Sequence, residues 1–192
     1  MKHIFTAALI LMAGSAQADE FHDAMQDFLA REVQGWMNDP VLIAAITAQN
    51  TQTAGYDQAE IDTLDQTWRA YVGMHDDPLI SGVMTNAAAD FLRDRVTASG
   101  GVITEAFIMD ARGLNVAASA PTSDYWQGDE DKFTQTYPLG AEAVHFGDVA
   151  LDDSTNEVQG QISATIVDPE TGSAVGAVTV GVSLTDLLLA QN

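Results

Sequence analysis

Cysteine is missing altogether, which excludes a disulfide framework, a thiolate nucleophile and a Cys-ligated metal site. Cations are scarce: seven Lys and Arg stand against 28 Asp and Glu. Such a chain repels nucleic acid and anionic lipid, so nucleic-acid binding is excluded. The acidity is read as solubility or salt adaptation and names no ligand. Catalytic signatures are also absent. There is no Gly-x-Ser-x-Gly elbow, no His-Glu-x-x-His and no phosphate-cradling glycine loop. The carboxylates are scattered at a density typical of a solvated surface, so no catalytic residue is assigned. A bilayer span needs roughly 20 apolar residues. The longest apolar run, Ile4 to Ala13, is only about ten, and Ala174 to Val182 is strand-sized and carries glycines.

What is present begins with the first 18 residues. Lys2 and His3 precede the apolar run, and Gly14-Ser15-Ala16-Gln17-Ala18 supplies small residues at the third-last and last positions before a cut. This is the pattern of a secretory signal peptide (residues 1–18) cleaved after Ala18. The expectation is therefore an exported, periplasmic protein that does not span the membrane after cleavage. Residues 19–192 would form one domain, with a helical part over 19–99 and a sheet part over 100–192. Beyond the leader, six Lys and Arg face all 28 acids, a formal charge near −22.

Phe21, Met25, Phe28, Leu29, Val33 and Trp36 recur every three or four residues and predict an amphipathic helix over 20–37. Asp39-Pro40 restarts a helix that continues to about Asn50, and 51–56 is a loop. Asp57 and Glu60 form a capping-box-like start for a helix burying Ile61, Leu64, Trp68 and Tyr71. Asp77-Pro78 opens another helix to about Ala98, stopped by Gly100-Gly101. The period then changes. Val102 to Met109 and Leu114 to Ser119 read as strands joined by a turn at Asp110 to Gly113. Residues 120–140 are an elaborated loop with a short helix near 129–136. Strands follow over about 143–151, 157–167 and 174–183. The fold class is α+β: a five-stranded antiparallel sheet with a long N-terminal helical region packed alongside.

The turn "MDARGLNVAAS", the loop "TSDYWQGDEDKF", the last strand "GSAVGAVTVGVSL" and the helical segments "NDPVLIAAITAQN" and "IDTLDQTWRA" together resemble the extracellular Cache sensor fold. This is the PAS-like PDC sensor domain, here in a stand-alone form covering nearly all of residues 19–192. The resemblance implies a PAS-like sheet, a ligand pocket between the sheet and the loops after the second strand, and a role in chemoreceptor or histidine-kinase sensing. It implies no cofactor. The partners expected are a small-molecule ligand, a membrane receptor or histidine kinase that reads the bound state, and a second copy joined through the N-terminal helix.

The candidate ligand residues are Asp124, Tyr125, Trp126, Asp129 and Lys132. Tyr125 and Trp126 either wall a pocket or pack the loop onto the sheet. Lys132 is the one lysine outside the leader; it either meets a ligand carboxylate or neutralises its acidic neighbours. Relatives of this kind that bind amino acids carry Arg-x-Trp-Tyr and an acid in the last strand. This chain has Asp124-Tyr125-Trp126 and Val180-Gly181-Val182 instead, so a small carboxylate or another polar metabolite is expected. Asp110 and Gly113 read as turn residues. Asp152, Ser154 and Asn156 alternate like calcium ligands but lack the glycine and distant Glu of that loop. His75-Asp76-Asp77 has no second histidine at useful spacing, and no metal is expected. The alternative function is an exported interaction protein that docks or dimerises through its helical part, with no ligand.

Overall fold

A computed structural model describes residues 10–73, 77–152 and 157–190. The first nine residues of the expected leader, His75-Asp76 and residues 153–156 of the calcium-like loop lie outside them. Helix α1 (Ile10–Arg31) runs through the expected cut at Ala18 without a break, and a 3-10 turn over Val33–Gly35 ends its apolar stripe.

The helix starts follow local chemistry. Asp39 Oδ1 accepts the Val41 N–H at 2.9 Å and Pro40 takes the first turn of α2 (Pro40–Thr53). A full capping box opens α3 (Gln58–Tyr71): Asp57 accepts from the Glu60 N–H at 3.0 Å, and Glu60 accepts from the Asp57 N–H at 2.9 Å. Asp77 and Pro78 open α4 (Pro78–Met84) in the same manner. The helix expected over 78–98 is two helices. Asn86 caps α5 (Ala87–Ala98) through the Ala89 N–H and donates its amide to Val116 O at 2.9 Å, so a contact with the sheet sets the break.

Strands β1 (Ile103–Met109), β2 (Asn115–Ala118), β3 (Val144–Phe146), β4 (Ala150–Asp152), β5 (Glu157–Val167) and β6 (Ala174–Ser183) form one antiparallel sheet. The path is β2-β1-β6-β5-β3, with β4 also paired to β5. The strand expected over 143–151 is thus two short strands sharing the fifth position. The α+β architecture, an antiparallel sheet with the N-terminal helices packed alongside, is the one expected. Two further helices are α6 (Asp131–Thr134) and α7 (Leu184–Ala190), the latter following β6 directly.

Side chains alternate across the sheet, giving two different faces. On the helix side, Ile162, Ala164, Ile166, Val178, Val180 and Val182 meet α1, α2, α5 and α7 in a continuous apolar core. The opposite side holds a second core in which Phe107, Met109 and Ala177 meet Ile61 and Trp68 of α3, Ile80 and Val83 of α4, and Tyr125 and Phe133 of the long loop.

Candidate functional site: a polar sheet face beneath α6

The long loop is fastened in three places. Asp110 is fully buried and shares its carboxylate among four donors: Arg112 N and Leu114 N on Oδ1, and Gln49 Nε2 and Thr53 Oγ1 on Oδ2, at 2.8–3.1 Å. That fixes the β1–β2 turn, where Gly113 has φ 77° and lies against Gly128. Residues 125–127 then run antiparallel to the end of this turn. Asn115 N donates to Tyr125 O at 3.0 Å, Gln127 N to Gly113 O at 2.8 Å, and the Trp126 indole N–H to Arg112 O at 2.9 Å. Finally, α3 holds the loop from the other side: Asp65 Oδ1 accepts from Tyr125 N and Trp126 N, while its Oδ2 pairs with Arg69 at 2.8 Å.

These contacts place the candidate residues. Tyr125 is buried and stacks on Trp68, ring centroids 5.7 Å apart. Burial pushes its phenol well above the ordinary tyrosine range, with Asp110 and Tyr56 adding to the rise. Trp126 is half-buried over Gly128. Asp124 lies 3.6 Å from Arg69, and its carbonyl accepts from Asn115 Nδ2 and Gln127 Nε2. Asp129 and Lys132, by contrast, line an open cleft of about 400 Å³ together with Glu130, Asp131, His145, Gly147, Asp148 and Gln161. The structure therefore separates the five. Asp129 and Lys132 stand together in the cleft, while Asp124, Tyr125 and Trp126 belong to the fastening of the loop.

The sheet face that runs inward from the cleft is polar and closed over. Register puts Ala118, Phe107, Thr179, Ser163 and His145 in one row across the loop-side face of the sheet. Ser163 and Thr179 are fully buried and share a hydrogen bond of 2.9 Å. Thr165, in the next row, is buried with no partner for its hydroxyl among the described residues. Gln161 donates to Glu105 Oε1 at 3.3 Å. Lys132 hangs from α6 above this face, its Nζ 5.6 Å from the Phe107 ring centroid and 3.0 Å from Glu130 Oε2, with 17% of the side chain exposed. Among the described residues, no three His, Asp or Glu side chains gather as metal ligands would.

Chemically, the cleft offers one cation, a histidine, an amide and the carboxylates of Asp129, Glu130, Asp131 and Asp148. It suits a small polar molecule that bears a cationic group, with or without an anionic one opposite Lys132. Asp148 and Gln161 escaped the sequence analysis, in which His145 reads only as an isolated histidine. The signal for the polar face was there: Gln161, Ser163 and Thr165 alternate with Ile162, Ala164 and Ile166, a strand whose second face is polar although both faces are buried.

No family model matches the chain, and no curated protein matches it. Among solved structures, it is similar to the sensor domain of the Vibrio cholerae histidine kinase DctB, with 15% identity, TM-score 0.43, and coverage of 95% of this chain and 60% of that one. It is also similar to the sensory domain of the Campylobacter jejuni chemoreceptor Tlp3, with 11% identity, TM-score 0.40, and coverage of 87% and 65%. A third is the ligand-binding domain of the Pseudomonas aeruginosa chemoreceptor PctC in complex with GABA, with 14% identity, TM-score 0.39, and coverage of 70% and 60%. The chain thus spans less than two thirds of each. Among the described residues no helix is long and apolar enough to cross a membrane.

Proposed function

We propose that this chain is an exported small-molecule-binding sensor domain that holds a small polar metabolite in the cleft between α6 and the sheet. A membrane receptor or histidine kinase would read the bound state. The observation that carries this reading is the buried polar face of the sheet. A sheet face closed over by a loop and two helices is normally apolar, because burying hydroxyls without partners costs roughly 1–3 kcal/mol each. Here Thr165 sits on that face with no partner for its hydroxyl, Ser163 and Thr179 satisfy each other, and the polar rows run out to His145 and Gln161 in the open cleft. A ligand in the cleft would meet this polar face at its open end, through His145 and Gln161.

Binding to the folded form alone raises thermal stability. A screen of small carboxylates, amines and zwitterions against the purified protein should give a melting shift for at least one class. Lys132→Met and Gln161→Leu should each remove that shift while the protein still folds. No shift at millimolar concentration in any class would overturn the reading.

The interaction-protein reading draws on one observation. Tyr125 and Trp126 fasten the loop instead of lining the cleft. Under that reading Trp126→Ala costs about 3 kcal/mol of stability, no metabolite shifts the melt, and the protein self-associates through α1.

A further inference from the structure

A second cleft, of about 290 Å³, opens on the other side of the molecule between α1, α5 and α7. Arg95 of α5 lines it. The other four arginines all have polar partners: Arg31 pairs with Asp27, Arg69 with Asp65, Arg93 with Asp90, and Arg112 donates to Ala54 O. Arg95 alone has none among the described residues. Its Nε is buried and unpaired, and its guanidinium carbon lies 5.1 Å from the Phe91 ring centroid. A guanidinium stacked on a ring keeps its donor edge free for a carboxylate, and a buried N–H left unpaired is a standing cost that such a partner removes.

The walls and the charge narrow the occupant. Phe28, Trp36, Val102 and Leu187 give apolar and aromatic surface. Asp27 is held by Arg31 at 2.7 Å, and Glu32 stands exposed at the rim. The lining therefore carries two cations and two carboxylates, a locally neutral patch on a chain of net charge −21. An anion meets less repulsion here than at the acid-rich cleft under α6. Glu32 adds repulsion for a second negative charge, which disfavours dianions.

We propose that the α1–α5–α7 cleft is a second binding site, taking a small monocarboxylate with an apolar or aromatic body whose carboxylate meets Arg95. It is separate from the cleft under α6 and stands whether or not that cleft binds a metabolite.

The test is a heteronuclear NMR titration of the whole protein with benzoate, using benzylamine as the cationic counterpart. Benzoate should shift the Trp36 indole and Arg95 Nε–H resonances saturably, and benzylamine should not. Arg95→Gln should weaken benzoate at least about tenfold, and Lys132→Met should leave it unchanged. Ala98→Trp, which blocks the exposed mouth and keeps Arg95, should also abolish binding, and it decides the matter if the Arg95 variant does not fold. No saturable shift with benzoate, equal binding of benzylamine, or full binding by either cleft variant would overturn the proposal.

Discussion

Asp65 on α3 accepts the backbone N–H of Tyr125 at 2.9 Å, sixty residues away in sequence, and the same oxygen takes the Trp126 N–H at 3.1 Å. One carboxylate thus replaces the strand partner that residues 125–126 lack on that side. Because Asp65 is nearly buried, neither N–H has water as a substitute.

Asp65→Ala should destabilise the protein by about 3 kcal/mol, since it strands two backbone donors and leaves Arg69 only the longer contact with Asp124. Urea unfolding would measure this. Amide exchange should quicken at Tyr125 and Trp126 more than at Phe107. Unchanged exchange there would mean that α3 does not hold the loop.

Asp110→Ala removes the acceptor for four donors around the β1–β2 turn. The expected loss is at least about 3 kcal/mol, because two backbone N–H groups and two side chains lose a buried charged partner. A melt within experimental error of the parent would show that the turn holds itself.

Two glycine substitutions should move stability in opposite directions. At Gly113, φ is +77° and an added Cβ would lie 2.6 Å from Gly128 Cα, so Gly113→Ala should cost about 2 kcal/mol or more. Gly82 lies within α4 with nothing inside 4 Å of the added Cβ, so Gly82→Ala should stabilise by about 0.5–1 kcal/mol. Paired thermal melts read both signs.

The raised Tyr125 phenol makes a statement about alkaline stability. The neutral form is favoured in the fold, so the contribution is intact below the unfolded tyrosine value of about 10 and is lost as pH rises beyond it. Stability measured between neutral pH and about pH 11 should fall less steeply in Tyr125→Phe than in the parent. Identical slopes would show that the phenol ionises freely.

Legibility in the sequence tracked the distance over which each signal acts. Asp39-Pro40, Asp57 with Glu60, and Asp77-Pro78 cap helices through bonds to residues two or three away, and each was readable. The break at Asn86 was not. Ala87-Ala88-Ala89 continues a helical pattern, and what divides α4 from α5 includes a bond to Val116 thirty residues on. The short helix α7 was hidden because Leu184 prolongs an apolar strand. At the site, composition singled out the segment 124–132 but could not say which way its rings turn. Trp68 and Gly128 decide that, and only the folded chain brings them to Tyr125 and Trp126.

The junction of β6 with α7 contains no spare residue: Ser183 ends the strand and Leu184 begins the helix. Ser183 is itself pinned, its N–H donating to Val102 O at 2.9 Å and its hydroxyl accepting from Asp186 N at 3.3 Å. The helix therefore has no hinge of its own. It inherits the attitude of β6, and its own Leu187 walls the α1–α5–α7 cleft. The strand and the helix therefore behave as one rigid piece, and the place of Leu187 in the wall is set by the register of β6 against β1.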